Sequence, residues 1–327
     1  MEAKDHRVKE DAMGIQVIDP GIFTTVQDGG RTGYQQYGVT PSGPMDERAF
    51  AQANLLTGNP AGTEELEMTF QGGRYCFDTD AVIAITGADM KPQLNGEPIP
   101  MYQAVSVEAG SELVLGFAAN GCRAYLSVAG GMDIPLVMES RSTLTGKHLG
   151  GIDGRKLEKG DRIEFTATVS EVANQESRVL AQPEYSEKEI TLRVVAGPQD
   201  DGFSREEFRK FFWYGAVITN EADRQGIRLK REIPVKHVGD GNIISDGIAF
   251  GSIQVPPNGQ PIVMMADRQT VGGYPKIGTV ITVDLPLLAQ AKPGTQVRFI
   301  EVSIELAQEL YLRELSSRKE IESQWNK

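Results

Sequence analysis

Short apolar segments separated by turn signals are the feature of this sequence that most restricts its fold. Five of them follow one another in one region, at 66–70, 81–86, 104–107, 112–117 and 122–129. Their alternating or continuous apolar pattern is typical of β-strands, and their regular spacing favours a sandwich or a barrel over βαβ units. The 36 glycines and 17 prolines suit the many tight turns that such a fold requires. We therefore predict a mainly β protein with a few short helices.

Two halves of the chain end in a similar way, which suggests two related β domains. Each closing segment places a glycine turn before a strand that ends in phenylalanine, in LEKGDRIEF (157–165) and in KPGTQVRF (292–299). A charged stretch without periodicity lies between the halves. The predicted division is an arm at 1–13, β domains at 14–170 and 191–303, a linker at 171–190 and an amphipathic packing helix at 304–327.

The charge balance and the apolar pattern exclude several classes of protein. The net charge is -12 and no basic block occurs, so nucleic-acid binding is not expected. No apolar run approaches the roughly 20 residues of a membrane-spanning helix, and the charged N-terminus lacks a signal peptide's apolar region. We therefore expect a cytoplasmic protein that does not enter a membrane. Cys76 and Cys122 are interpreted as buried reduced thiols, and the 3 histidines show no metal-ligand spacing, so no metal site is predicted.

One stretch, residues 245–278, changes abruptly from apolar strands to a dense polar cluster. Two strand-like segments, 251–255 and 262–266, flank Pro-Pro-Asn-Gly at 256–259. This pattern predicts a hairpin with a two-residue Asn-Gly turn, placed at a sheet edge or a barrel rim. Buried strands that end in polar clusters often present functional groups. The polar residues that follow the second strand are Asp267, Arg268, Gln269 and Lys276.

Two further segments, 24–46 and 139–151, interleave glycines with charged and hydroxyl side chains. Glycine allows the backbone of such a loop to approach a ligand closely, although a plain connection rich in turns is the alternative for the first segment. Their candidate residues are Gln27, Asp28, Arg31, Ser42, Asp46, Arg141, Ser142, Lys147 and His148.

Together the three segments suit a small polar or anionic molecule. Arginine binds carboxylates through two parallel hydrogen bonds, lysine acts as a point charge or an acid, and main-chain amides can hold an oxyanion. The sequence shows no nucleophile elbow, no P-loop and no zinc-protease motif. The residues therefore predict a binding site more directly than they predict a reaction.

Several of these residues also have a purely structural explanation. The Asp-Arg pairs at 223–224 and 267–268 are equally well explained as ion pairs at strand ends. His148 can be read as an ordinary exposed histidine, and Asp46 as a favourable charge at a helix N-terminus. Lys276 follows a Tyr-Pro pair in a glycine turn, where a lysine has no packing role, so a functional role is favoured for it.

Four long motifs resemble the biotin-dependent carboxyltransferase family, which includes the carboxyltransferase region of urea amidolyase, allophanate hydrolase subunit 2 and the KipA protein. They are TTVQDGGRTGYQQYGVTPSGPMD (24–46), ESRSTLTGKHLGG (139–151), NEADRQGIRL (220–229) and SDGIAFGSIQVPPNGQPIVMMADRQTVGGYPKIGTV (245–280). The resemblance covers about residues 14–303, with the motifs in the expected order. It implies two cyclophilin-like β-barrel domains and a ligand site between the halves.

Chains of this size in the family resemble the C subunit of 5-oxoprolinase, which is also the type of KipA. In that complex, ATP hydrolysis drives the opening of 5-oxoproline to L-glutamate. The resemblance therefore implies 5-oxoprolinase subunits A and B as partners and ATP as the cofactor of the complex. A lactam is a poor electrophile, so the complex needs ATP to activate the lactam before water can open the ring.

The resemblance also implies roles for residues that match the motifs. Anion contacts are implied for Arg31, Arg141, Arg268 and Lys276, because cations suit a substrate carboxylate and an oxyanion. The candidate catalytic or orienting residues are Asp28, His148, Asp267 and Lys276. The candidate substrate-binding residues are Gln27, Arg31, Ser42, Asp46, Arg141, Ser142, Arg224, Gln254, Arg268 and Gln269.

Two other functions remain open. One is a KipA-like regulatory protein that binds and antagonises a kinase inhibitor, a KipI-like chain of the B-subunit type. The other is a carboxyltransferase component that uses biotin on urea-like substrates. The sequence contains neither a biotin-carrier segment nor an ATP-grasp domain, both of which full urea amidolyases carry. We therefore expect a chain that is inactive alone and that would need a separate carrier to use biotin.

Overall fold

A computed structural model describes residues 13–325 of the chain. The described part is mainly β, with few helices, as predicted. Apart from Met13, the predicted N-terminal arm at 1–13 lies outside the described residues, and so do the last two residues of the predicted helix at 304–327.

The N-terminal half folds into two antiparallel sheets. The six-stranded sheet has the order β11-β1-β4-β9-β6-β7, and the five-stranded sheet has the order β2-β3-β10-β5-β8. Apolar side chains of the two sheets, such as Ile15, Tyr75, Leu66 and Leu126, share one buried core. The strands are β1 (Gly14–Asp19), β2 (Phe23–Gln27), β3 (Glu65–Thr69), β4 (Arg74–Phe77), β5 (Ala81–Asp89), β6 (Gln93–Leu94), β7 (Glu97–Pro98), β8 (Ala104–Val107), β9 (Glu112–Val114), β10 (Asn120–Val128) and β11 (Arg162–Glu164).

The C-terminal half is a closed barrel. Its strand order is β12-β19-β16-β17-β14-β13-β20, and β15 and β18 form a separate two-stranded ribbon. Closure pairs every barrel strand on both sides and leaves no open edge within the barrel. The strands are β12 (Glu189–Ala196), β13 (Ala216–Ile218), β14 (Gly226–Lys230), β15 (Asp246–Gly247), β16 (Ser252–Gln254), β17 (Ile262–Met264), β18 (Val271–Gly272), β19 (Lys276–Val280) and β20 (Gln296–Glu301).

Four α-helices complete the described fold: α1 (Glu47–Thr57), α2 (Arg205–Trp213), α3 (Leu285–Gln290) and α4 (Ile304–Trp325). Helix α1 begins where the Asp46 side chain accepts hydrogen bonds from the first helical turn, and it ends at Gly58 in the left-handed conformation. It lies on the five-stranded sheet, where the Thr86 hydroxyl donates to the Ala49 main-chain oxygen at 2.7 Å.

The predicted hairpin of residues 251–266 is present, but its turn differs from the prediction. Strands β16 and β17 pair antiparallel, with Ile253 opposite Val263. The connection is longer than two residues, and it turns where the Gly259 amide donates to the Pro256 oxygen at 2.8 Å. Gly259 has a positive φ of 72°, whereas Asn258 does not. The prediction of a two-residue Asn-Gly turn is therefore wrong, because the two prolines end the pairing early.

Helix α4 crosses from the barrel back to the N-terminal half. It follows β20, and its last described residue, Trp325, packs against Leu56 and Ala84. The Arg178 guanidinium lies 5.5 Å from the centre of the Trp325 ring. Along most of its length the helix is half-buried or exposed, and Leu312 is 61% exposed. The helix therefore connects the two halves mainly through its end.

Candidate functional site

The outer face of the five-stranded sheet is polar, although it is buried. Successive strand residues point to opposite sides of a sheet. Leu66 and Leu126 point into the core, whereas Glu67 and Tyr125, which lie opposite each other on β3 and β10, point away from it. Glu67 is 1% exposed and Tyr125 is fully buried, because helix α1 and the C-terminal half cover this face.

Arg224 joins the two halves across this face. Its Nε and Nη2 donate to the two carboxylate oxygens of Asp267 at 2.9 and 3.0 Å, and its Nη1 donates to Glu67. Its Nη2 also donates to the Gly43 main-chain oxygen at 2.7 Å. Burial lowers the pKa of Arg224, but the charges of Asp267 and Glu67 outweigh it and raise the pKa. Arg224 therefore holds Asp267 in place and has every nitrogen engaged.

The network continues to the start of helix α1. The Tyr125 hydroxyl donates to Glu67 at 2.7 Å and accepts from the Asp46 amide at 2.8 Å. The Asp46 carboxylate caps the helix and accepts from Gln290 Nε2 at 2.8 Å. Burial raises the pKa of Asp46, against the effect of these hydrogen bonds. The position matches the structural explanation of Asp46 as a residue that stabilises a helix N-terminus.

Asp28 ties two of the predicted polar segments together. Its carboxylate accepts from the hydroxyls of Ser140 and Ser142 at 2.7 and 2.6 Å. It also accepts from the main-chain amides of Gly30 and Arg141 at 2.9 and 2.6 Å. Three of these bonds end on Oδ1 and one on Oδ2, so Oδ2 retains an acceptor site. Asp28 therefore fixes the two loops against each other.

Three buried arginines, Arg31, Arg123 and Arg268, have no carboxylate hydrogen bond among residues 13–325. Each donates to main-chain oxygens, and Arg123 also contacts a cysteine sulfur. Burial lowers the pKa of Arg31 and of Arg268, and the charge of Asp267 opposes this shift in both. Burying a cation without a paired anion is costly, and of these three it is Arg123 that lines the cleft described next, so Arg123 favours an anionic ligand there.

A cleft of about 410 Å³ opens between the two halves, above the Arg224 network. We call it the central cleft. Its lining combines apolar side chains, among them Phe23, Phe70 and Leu144, with charged side chains. Two of its residues have a buried polar atom without a hydrogen-bond partner in the described part of the chain, namely Thr69 Oγ1 and Arg123 Nε. The lining residues are Ile22, Phe23, Thr69, Phe70, Arg123, Leu144, Thr145, Gly146, Ala222, Asp223, Arg224, Gln225 and Asp267.

A second cleft of about 330 Å³ lies on the other side of the Asp223–Gln225 turn. We call it the amide cleft, because four of its residues carry carboxamides: Gln225, Gln254, Asn258 and Gln269. Gln269 Nε2 lies 3.4 Å from Gln254 Oε1. The remaining lining residues are Asp223, Gly226, Arg228, Pro256, Ile262, Met264 and Tyr274.

Lys276 lies beside the amide cleft, on the outer side of the barrel. It is paired with Gln254 across β16 and β19, and the next residue, Ile277, points into the barrel core. Its ammonium group donates to Asp246 at 2.9 Å, and the side chain is 3% exposed. The lysine is thus buried, and only its carboxylate partner, which is 53% exposed, reaches the surface.

The predicted site residues fall into three groups. The loop cluster around Asp28 contains Gln27, Arg31, Ser42, Arg141 and Ser142, and these side chains are buried or half-buried. Arg224 and Asp267 line the central cleft, whereas Gln254 and Gln269 line the amide cleft.

His148 lies apart from these three groups. It is exposed at the end of a short 3-10 helix, in the left-handed conformation with φ of 53°. Arg268 lies next to Asp267 in the chain, but it points toward Phe250 and the Ile248 oxygen. In the structure, the predicted acidic and amide side chains therefore lie closer together than the predicted cationic side chains do.

Four residues of the site were not predicted from the sequence: Thr69, Glu67, Arg123 and Tyr125. All four lie on strands that the apolar pattern identified, on the side facing away from the core. A buried polar residue on the outer face of a strand signals a covered sheet, but the pattern alone does not show that the face is covered. The sequence signal that could have identified these residues is the alternation of apolar and polar side chains in 65–69 and 122–127.

Two classes of site are absent from the described residues. Residues 13–325 contain no group of three or more His, Cys, Asp or Glu side chains that could hold a metal ion. None of the helices described here is long and apolar enough to cross a membrane.

The family model that matches this chain and the known proteins that are similar to it agree with each other. The family model of the carboxyltransferase domain, subdomains A and B, matches residues 37–301. The 5-oxoprolinase C subunit of Escherichia coli K12 is 36% identical over 310 residues, which covers 93% of this chain and 98% of that protein. The 5-oxoprolinase C subunit of Haemophilus influenzae is 33% identical, and the match covers 90% of this chain and 94% of that protein.

A solved structure extends the likeness to the fold. The urea amidolyase of Kluyveromyces lactis superimposes with a TM-score of 0.88 at 29% identity. The match covers 96% of this chain but 20% of that protein, so the chain spans about a fifth of the amidolyase. From the family match and the near full-length relatives it follows that this chain belongs to the family of carboxyltransferase-domain proteins built from subdomains A and B.

Proposed function

We propose that the chain is the C subunit of an ATP-dependent 5-oxoprolinase complex, which opens 5-oxoproline to L-glutamate together with subunits A and B. The observation that carries this proposal is the extent of the match, which reaches 98% of the length of the E. coli C subunit. The same chain covers 20% of the K. lactis urea amidolyase and leaves the rest of that protein unmatched. We further propose that the complex acts in the cytoplasm.

We place the substrate in the central cleft, between proposed domains 14–170 and 191–303, which the proposed linker 171–190 joins. 5-oxoproline combines a carboxylate with an apolar ring and a polar lactam. Arg123 lines the cleft, and its guanidinium has no carboxylate partner among the described residues, so it suits the substrate carboxylate. Phe23 and Leu144 offer apolar surface to the ring methylenes.

Asp267 is the residue best placed to orient the lactam. Arg224 binds both of its carboxylate oxygens and so holds the side chain in one orientation. A carboxylate held in this way can accept the lactam N–H and fix the ring relative to Arg123. Arg224 has no nitrogen free, so we propose it as a positioning residue.

ATP would activate the lactam oxygen so that water can open the ring. The central cleft does not fit a triphosphate, because Asp223 and Asp267 share its wall with Arg123 and the charge of Arg224 is already neutralised. We therefore derive no nucleotide step from this chain. It follows that the chain is expected to be inactive alone and to supply substrate contacts to its partners.

The test is a reconstitution with purified subunits A and B. We expect ATP-dependent release of glutamate from 5-oxoproline to require this chain. Equal glutamate release with and without the chain would overturn the proposal. A control mixture with 5-oxoproline but without ATP sets the background.

A second candidate function is a carboxyltransferase component that uses biotin on a urea-like substrate. The amide cleft favours it, because Gln225, Gln254 and Gln269 offer the paired donors and acceptors that a ureido or urea group requires. If biotin is used, these carboxamides would hold its ureido group, and biotin would supply the carboxyl group for transfer. Capture of a biotinylated carrier on streptavidin together with this chain would support the reading, and capture without the chain would exclude it.

A further inference from the structure

A cavity of about 430 Å³ lies where helix α4 crosses between the two halves, away from both clefts described above. We call it the arginine cavity, because Arg48, Arg193, Arg313 and Arg318 line it. Its lining contains one acidic residue among those described, Glu314. Four guanidinium groups thus share a cavity lining with one carboxylate, in a chain whose net charge is -12.

Glu314 occupies the centre of this charge. Its carboxylate accepts from Arg48 Nε and Nη2 at 3.1 and 2.9 Å, and it lies 3.6 Å from Arg318 Nη2. One carboxylate is thus shared by two guanidinium groups. Arg318 makes no shorter contact with an acidic oxygen in the described part of the chain, and its side chain is 34% exposed.

Two of the four arginines also have an acidic partner outside the lining. Asp284 accepts from Arg193 at 2.5 and 2.9 Å, and Glu309 accepts from Arg313 Nη2 at 2.9 Å. Glu47 on α1 is close enough for its charge to act on Arg318, but it does not line the cavity. The hydrogen bonds of Arg48 and Arg193 use Nε and Nη2, and the Nη1 group of each has no acceptor among residues 13–325.

The rest of the wall is apolar. Leu55, Leu180, Val283, Leu310 and Ile321 line the cavity beside the arginines. A ligand that fits both surfaces carries two negative charges and an apolar body. We propose that the arginine cavity binds such an organic dianion, an aryl or alkyl phosphate or a dicarboxylate, and that Glu314 competes with the ligand for Arg48 and Arg318.

Loss of Arg318 and loss of the Glu314 charge are expected to change the affinity for the dianion in opposite directions. Loss of Arg318 removes a binding group, whereas loss of the Glu314 charge frees two. Loss of a buried hydrogen bond to a charged group changes the affinity roughly 10-fold. Where the groups are partly exposed, as here, the expected change in affinity is about 3- to 10-fold. Because the site is distant from the central cleft, the proposal does not depend on the function proposed above.

The test is calorimetric titration of the full chain with phenyl phosphate and, separately, with phthalate, at an ionic strength held constant with sodium chloride. We expect saturable binding of at least one dianion, about 3- to 10-fold tighter in Glu314→Gln and at least about 3-fold weaker in Arg318→Gln. Arg74→Gln is the matched control, because Arg74 is a surface arginine paired with Glu112 elsewhere in the chain, and it should bind as the wild type does.

The two probes distinguish the two classes of ligand. Tighter binding of phenyl phosphate indicates a phosphate ligand, and tighter binding of phthalate indicates a dicarboxylate. Benzyl alcohol, which has the ring without the charge, should not bind. Lack of saturable binding by either dianion up to about 10 mM would overturn the proposal. Equal affinities in wild type and Glu314→Gln would overturn it as well, because the competition would then be absent.

Discussion

Removal of the Arg224 guanidinium is expected to destabilise the protein strongly, because it leaves two buried carboxylates without their partner. Arg224 contacts Glu67 and Asp267, and all three side chains are at most 8% exposed. Breaking a buried ion pair by removing one partner typically costs about 3–5 kcal/mol. For domains of this size, that cost corresponds to a fall in melting temperature of about 6–20 °C.

The matched control is Arg228→Ala. Arg228 lies four residues further along the same hairpin, its side chain is 53% exposed, and it lies 3.6 Å from Glu221. Exposed ion pairs contribute about 0–1 kcal/mol, so this variant should melt close to the wild type. A comparable melting temperature for Arg224→Ala and Arg228→Ala would refute the reasoning.

Fluorescence and far-UV circular dichroism together are a suitable readout for this experiment. Trp325 is buried against the N-terminal half and reports on it, whereas Trp213 on α2 is 82% exposed, so circular dichroism follows the C-terminal half. Urea titrations of Arg224→Ala should show both halves weakened. Adding Asp267→Asn to Arg224→Ala should restore part of the loss, because one of the unpaired charges is removed, with a coupling of about 1–3 kcal/mol.

Three further variants test other parts of the structure. Burial raises the pKa of Glu65 well above its ordinary value, so the folded chain favours the protonated acid. The stability that this gives is complete below the ordinary glutamate pKa, and it is lost as the pH rises through the raised pKa of the folded chain. Glu65→Gln should therefore raise the urea midpoint at about pH 8 and leave it unchanged near pH 4, and an equal shift at both would contradict this. Trp325→Ala removes the buried end of α4 and should cost about 3 kcal/mol, with faster proteolysis within 304–325, whereas unchanged protection would count against a connecting role for the helix. Lys276→Ala should lower the activity of the reconstituted complex at least about 10-fold, and full activity in a folded variant would exclude a functional role for its ammonium group.

The strands could be predicted because their signals are local. The apolar segment predicted at 104–107 is strand β8 (Ala104–Val107), and the segment at 262–266 contains β17. Alternation of apolar and polar residues depends on the period of the strand itself, so it is visible without knowledge of the fold. The Pro256–Gly259 turn was predicted in place but not in length, since its geometry depends on where the neighbouring strands stop pairing.

The site could be predicted only in part, because its contacts join residues far apart in the chain. Arg224 and Glu67 are separated by 157 positions, and Asp28 and Ser142 by 114. The sequence indicated polar, glycine-rich segments, and it indicated that Asp46 could favour a helix N-terminus. It could not show that Glu67 faces Arg224, because nothing in the pattern of β3 identifies which half covers its outer face.

Helix α4 shows a similar limit. Its apolar residues predicted an amphipathic packing helix, and yet Leu306 and Leu312 are 40% and 61% exposed. The helix crosses between the halves and is anchored mainly by Trp325 and by the ion pair of Arg48 with Glu314. The spacing of apolar residues gives a face, but it does not determine how much of that face meets another surface.

Glutamate release by the complex reconstituted with Arg123→Gln tests the central claim most directly, because Arg123 is the cation that we assign to the substrate carboxylate in the central cleft. With subunits A and B and ATP supplied, we predict a rise of about 10-fold or more in the KM for 5-oxoproline, with the Arg74→Gln control at the wild-type value. An unchanged KM in a folded Arg123→Gln chain would contradict the placement of the substrate between the two halves.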